Sequence, residues 1–361
     1  MLPNLTGIRG LAALWVVVFH YREDILSGIP STIAIAPAME KGYLGVDFFF
    51  CLSGFILGHV YANEIEERGS SLPSFTRRFL IKRFARLYPV YFLSTLLAIF
   101  IISIAKWQKH NFDHIPIDIL EPINVIKNLV LVQYWDNSYS INYPAWSVSA
   151  EFFAYLVFPI LIKLLLLERK YVILRAYILV IIAVSAHILF VISSNVFNSS
   201  VVQVLTEFSM GLGTYFLVRK LKPSRNTIVA IRCILASLLI LVLFIVDSDP
   251  IIRIVIPVIF ILICSANYFH NIPSKGLGRK SLVKLGLWSY SIYLTHGLVQ
   301  YSLSGVGLPQ RFNNIFLNIL EVISLFAIIV LIGSLTTRII ETPSRKFLLT
   351  RMKSSQENSL N

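Results

Sequence analysis

The residues of this chain best equipped for chemistry lie inside apolar runs, where a charge is out of place. Arg9 and His20 bracket Leu11 to Phe19, and Asp47 opens the run Phe48-Phe49-Phe50-Cys51-Leu52-Ser53. Glu151 follows Trp146-Ser147-Val148-Ser149-Ala150, and a later run reads Ser289-Tyr290-Ser291-Ile292-Tyr293-Leu294-Thr295-His296. Ionisable side chains within hydrocarbon are costly, so they normally face a bundle interior or an aqueous cavity. Arg9 and His20 are eleven residues apart, which at about 100° per residue returns them to nearly one helix face, separated by roughly 16 Å of rise. Plainer readings stand beside these. Arg9 could snorkel from a helix end, His20 could be interfacial, and Glu151 could charge a helix N-terminus favourably. His187 and Glu207 are isolated in sequence and are read as structural. Arg83 and Arg86, spaced i and i+3, share a face where an apolar run begins. Beside a helix N-terminus they suit a phosphate-bearing ligand, although anchoring at the cytoplasmic surface explains the charge equally well.

The elements that must position these residues are membrane spans. Of 361 residues, 56% are hydrophobic and 14% charged, and the mean hydropathy is +0.73. Hydrocarbon about 30 Å thick takes about 20 helical residues, so an all-α polytopic membrane protein of about ten transmembrane helices is expected. The spans fall near 5–21, 42–61, 86–105, 147–167, 171–193, 200–218, 227–246, 250–267, 285–303 and 314–338. No room remains for a large soluble domain. With both termini cytoplasmic, 24 of the 32 Lys and Arg residues fall on cytoplasmic segments, 7 fall outside, and Arg9 stays within a span. That asymmetry sets the orientation and accounts for most of the net charge of +13 without a nucleic-acid partner.

The short apolar run after Arg9 does not read as a cleaved signal, because no basic residue precedes it and Pro37 would follow the nearest small-residue triplet. Cys51, Cys233 and Cys264 lie in apolar runs and read as packing residues, with neither a disulfide framework nor a metal site. The one long outer segment, 106–145, carries Tyr134, Trp135, Tyr139 and Tyr143, with Trp146 just after it. An aromatic belt at the interface and a sugar-stacking platform are both open.

At these residues the sequence resembles the acyltransferase-3 family of polytopic membrane O-acyltransferases. Arg9 and His20 match its Arg, ten residues, His pattern, and Gly45-Val46-Asp47-Phe48-Phe49-Phe50 with Ser53-Gly54-Phe55 matches its second-span motif. Arg83 and Arg86 match its Arg-x-x-Arg, Trp146-Ser147 with Glu151 its fourth-span motif, and Ser291 to His296 its late-span motif. Glu341-Thr342-Pro343 resembles its closing Glu-x-Pro. The resemblance runs over residues 1–349 as one membrane domain, followed by a short polar cytoplasmic tail at 350–361, with no appended secreted hydrolase-like domain expected.

The resemblance implies transfer of an acyl group, usually acetyl, from a coenzyme A thioester to a hydroxyl of a cell-envelope or exported glycan or a lipid-linked sugar. It implies an integral, multi-pass protein of the bacterial inner membrane, with membrane lipid and acyl-CoA as partners and no permanently bound cofactor. His20 would be the base, since an imidazole titrates near neutrality, with Asp47 or Glu151 orienting it. Arg9, Arg83 and Arg86 would hold the donor, while Ser53, Trp146, Ser147, Tyr293 and His296 would line the cavity. Direct transfer is favoured over an acyl-enzyme on Ser53, Ser147, Ser149 or histidine. The competing reading is a proton-coupled transporter or exporter of a glycan-related substrate, which would carry the same intramembrane charges.

Overall fold

The computed structural model describes residues 2–68, 71–108, 115–116, 118–136, 138–193, 200–269, 276–305 and 312–357. Among them all regular structure is helical. In chain order the helices are α1 (Pro3–His20), α2 (Arg22–Gly28), α3 (Ala36–Glu40), α4 (Gly45–Arg68), α5 (Leu72–Trp107), α6 (Pro122–Leu129) and α7 (Trp146–Leu166). They continue as α8 (Val172–Ile192), α9 (Ser200–Val218), α10 (Arg225–Phe244), α11 (Asp249–Phe269), α12 (Lys280–Gly305), α13 (Ile315–Thr336) and α14 (Thr342–Glu357).

Each expected span coincides with one of α1, α4, α5 and α7 to α13. Among the described residues, 8 helical segments are long and apolar enough to cross a membrane, and the chain is an all-α polytopic membrane protein. The expected spans outside that set are α1, which holds Asn4, Arg9 and His20, and α12, which holds Lys280, Lys284 and a run of serine, threonine and histidine. Their polar content is what makes them of interest. By contrast α8, α10 and α13 leave side chains such as Ile182, Leu189, Ile240, Ile323 and Leu331 exposed, as helices bathed in hydrocarbon do. The tail expected at 350–361 is helical to Glu357 in α14; residues 358–361 lie outside the described residues, as do 109–114, 117 and 137 of the long segment.

Two compact units are present, each described by itself. The first comprises residues 1–22, 32–72 and 157–287. Its central contact is between α4 and α9, which run parallel and meet at glycine: a Cβ added at Gly54 would strike the Phe208 carbonyl oxygen, and one at Gly211 the Cys51 carbonyl oxygen. Small residues allow backbones to approach in a membrane, where no hydrophobic force drives helices together. The same device joins α1 to the start of α12, where Gly10 faces the Gly286 backbone and Gly286 faces the Thr6 carbonyl. Pro257 in α11 has no N–H to give the Arg253 carbonyl, its partner four residues back. His187 Nε2 donates to that oxygen at 3.0 Å while its Nδ1 lies 3.0 Å from Thr206 Oγ1. Cys51 and Cys264 are buried in this unit, whereas Cys233 is exposed on α10.

The second unit comprises residues 23–31, 73–156 and 288–361. Ala98, Ile102, Ile119, Ile141, Leu298 and Tyr301 form a core between α5, α12 and the segment that follows α5. Pro343 cannot donate to the Ile339 carbonyl, and over Thr337–Glu341 the backbone widens into one π turn, with the Thr342 amide reaching the Thr337 carbonyl. The widened turn delivers Glu341, which accepts a hydrogen bond from Ser291 Oγ of α12 at 2.8 Å.

Gly54→Ala forces α4 and α9 apart at cost of about 1–3 kcal/mol. A lowered melting temperature of the detergent-purified protein is the expected result, and an unchanged one contradicts backbone contact at this crossing.

Candidate active site

In the first unit, Arg9 is half-buried and donates from Nε to the Gly286 carbonyl at 2.9 Å, with Nη2 donating to the same oxygen. It is anchored to a neighbouring helix rather than only snorkelling. Gly10 and Gly286 let the two backbones come close beside this contact. His20 ends α1, and its Nδ1 lies 2.9 Å from the Val16 carbonyl. A carbonyl can only accept, so Nδ1 carries the proton, and in the neutral ring Nε2 is the basic atom.

Asp47 or Glu151 was expected to orient the imidazole; the hydrogen bond at Nδ1 goes to the Val16 carbonyl. The Asp47 carboxylate, 5% exposed, takes its hydrogen bond from Gln203 Nε2 at 2.9 Å. It lies in the first turn of α4, where the helix dipole also favours a negative charge. The same Gln203 nitrogen lies 3.3 Å from Glu207 Oε1. Gln203 was not singled out from sequence and Glu207 was read as structural. The available signal was their i, i+4 spacing on a span whose next step on that face is Gly211. Ser53 is half-buried beside Gly54, roughly 9 Å of rise beyond Asp47 on the same helix.

In the second unit, Arg83 and Arg86 are not at a helix N-terminus, because α5 begins at Leu72, roughly 16 Å of rise earlier. Inside the helix the backbone amides are already bonded, so only the guanidinium charges remain for a phosphate there. On α7 the Tyr155 hydroxyl donates to Glu151 Oε1 at 2.5 Å, within range of the Arg83 and Arg86 charges. Phe79 packs edge-on against the Tyr155 ring at 6.0 Å between centroids, which fixes α5 against α7.

Ser147 Oγ and Tyr293 Oη share a hydrogen bond of 2.7 Å, both residues being buried. His296 is fully buried, with the Tyr143 ring at 5.7 Å and the Tyr293 ring at 5.8 Å. The segment before α7 is held down by buried polar contacts. Asn142 Nδ2 donates to the Leu294 carbonyl at 3.0 Å, and the Tyr143 hydroxyl to Gln300 Oε1 at 2.6 Å. Leu131 adopts φ 66°, a strained value for a branched residue, and its carbonyl is secured by Ser149 Oγ at 3.0 Å. The aromatic residues of this segment pack inward: Tyr134 meets Trp146 at 5.1 Å, and Trp135 donates to the Ser149 carbonyl at 3.1 Å. Tyr139 alone of the cluster is 54% exposed. At the surface Lys127 and Ser138 hold the Asp136 carboxyl below the usual carboxylate range. That tie persists at neutral pH and is lost as pH falls through the lowered range.

The acyltransferase-3 family profile, described as an acyltransferase domain, matches residues 2–338. The chain belongs to the acyltransferase-3 family. It is 26% identical over 388 residues to Acyltransferase MdmB of Streptomyces mycarofaciens, with 96% of this chain and 92% of that protein covered. Over 93 residues it is 44% identical to Protein 2 in the picA locus of Rhizobium radiobacter, covering 26% of this chain and 41% of that one. A Staphylococcus aureus (strain COL) protein named for O-acetyltransferase activity is 26% identical over 179 residues, covering 47% of this chain and 26% of its own length. No solved structure matches. These findings make the chain a membrane O-acyltransferase.

Because Ser147 and Tyr293 bond to each other, Ser147→Ala and Tyr293→Phe should not add. The double variant is expected to recover about 0.5–1.5 kcal/mol relative to the sum of the single losses, read from unfolding midpoints in detergent. Strict additivity contradicts the pairing.

Proposed function

We propose that this acyltransferase-3 protein moves an acetyl group from acetyl-CoA to a hydroxyl of a cell-envelope or exported glycan, working in a bacterial inner membrane. The observation that carries the reading is the His20 tautomer. With Nδ1–H committed to the Val16 carbonyl, Nε2 is the basic atom of a side chain on a motif the family shares.

In the step proposed, the acceptor hydroxyl oxygen attacks the thioester carbonyl carbon while His20 Nε2 takes the hydroxyl proton. The tetrahedral intermediate collapses, the carbon–sulfur bond breaks, and the departing thiolate of coenzyme A receives the proton from the imidazolium. The products are an ester and free coenzyme A, with no acyl-enzyme. Arg83 and Arg86 supply cationic donors for the donor's phosphates, and Asp47 supplies negative charge that offsets the imidazolium. Within the second unit, the bonded pair Ser147 and Tyr293 and the buried His296 are the polar groups proposed to meet substrate, with Trp146 offering a ring face to a sugar. The alternation of basic segments supports a His20 near the outer leaflet and donor entry from the cytosol.

Purified protein in proteoliposomes, given acetyl-labelled acetyl-CoA and a glycan acceptor, should form a labelled ester and release coenzyme A. A general base contributes about 10²–10⁴-fold, so His20→Ala should lose at least the lower figure with protein abundance unchanged. Retained activity in that variant rejects the base assignment. Movement of an unmodified glycan across the membrane, with the thioester intact, would instead favour a carrier.

A further inference from the structure

Glu207 is 0% exposed in the first unit, and its Oε2 has no hydrogen-bond partner. A buried acceptor left unsatisfied is a cost that a membrane helix could remove with any apolar residue. Its other oxygen faces the Gln203 amide at 3.3 Å, and that amide in turn holds Asp47 at 2.9 Å. The order of these contacts fixes what each residue does. Both neighbours of the amide are carboxyl oxygens, so its NH2 group must face them, since only NH2 offers two donors.

Other groups around the pair are already engaged. Arg253, whose charge reaches Asp47, is bonded to Asp249 at 2.9 Å. His187 is committed to Thr206 and the Arg253 carbonyl, and the Cys51 thiol points to the Pro257 carbonyl at 3.9 Å. Asp47 is therefore held by a neutral amide rather than by a cation. The glycine crossing at Gly54 and Gly211 fixes the spacing of the two helices along which the three residues lie.

We infer that Gln203 and Glu207 are positioning residues for the reaction, with Gln203 aiming the Asp47 carboxylate and Glu207 holding Gln203 in the rotamer that does so. This rests on the proposed role of Asp47. Glu207 touches no reacting atom, and its acceptor oxygen, rather than its charge, is what the arrangement uses.

The experiment compares specific activity per folded protein, with labelled acetyl-CoA and a glycan acceptor, across five variants. Gln203→Leu and Glu207→Leu should each lower kcat while leaving the KM for acetyl-CoA within about twofold, because misplacement by about 1 Å can cost about 100-fold in rate. Glu207→Gln keeps an acceptor oxygen facing Gln203 and should restore most of the activity that Glu207→Leu loses. Asp47→Asn combined with Gln203→Leu should be no slower than Asp47→Asn alone, since Gln203 acts only through Asp47. Additive losses in the double variant overturn the inference, as does full kcat in Gln203→Leu or in Glu207→Leu. Full activity in Asp47→Asn overturns the underlying role of Asp47 instead, and so separates the two failures. Should Gln203→Leu not fold, the pair Glu207→Leu and Glu207→Gln still decides: equal activity in both contradicts positioning.

Discussion

Hydrocarbon offers no hydrogen bonds, so each polar group carried into it must find its partner within the protein. That constraint organises both units. Arg9 reaches the Gly286 carbonyl, His20 the Val16 carbonyl, Gln203 the Asp47 carboxylate and Ser291 the Glu341 carboxylate. Partners on different helices can meet only if backbones come close, which is why glycine stands at the α4/α9 and α1/α12 approaches. Polar chemistry and helix packing are two sides of one requirement.

The same constraint explains why proline is tolerated in α11. Pro257 releases the Arg253 carbonyl, and His187 takes it, so a helix irregularity and a buried histidine satisfy each other. Pro343 acts similarly at the α13/α14 junction, where the π turn it imposes is what brings Glu341 to Ser291. A carbonyl freed by proline is otherwise an uncompensated acceptor in lipid. Side chains locked onto helices in this way are held more firmly than loop residues, as a reaction centre requires.

Much of this was legible from the residues in order. The spans followed from apolar runs of helical length, and α1 and α12 stood out by the polar residues that interrupt them. Pairs on one helix, such as Tyr155 with Glu151 or His20 with Val16, lie within four positions and are visible in principle. The start of α5 was not: Arg83 and Arg86 read as lying beside a helix N-terminus, whereas the helix reaches back to Leu72. Gln203 was also invisible, because its partner Asp47 is 156 residues away and a lone glutamine in an apolar span has no motif. Asp47 was legible as a buried carboxylate, but its partner was not, since Gln203 lies on a helix far along the chain. Contacts between distant helices depend on which faces meet, and only the glycines at 54 and 211 hinted at that.

The central claim is that acyl transfer takes place at His20 close to the outer leaflet, with the thioester arriving from the cytosol. Its most direct test is side-specific labelling of His20→Cys in a chain whose native cysteines at 51, 233 and 264 are replaced by alanine. A membrane-impermeant maleimide applied to vesicles of known orientation should modify position 20 from the outer side, and an acceptor glycan should slow the reaction. Modification solely from the cytosolic side would contradict the account.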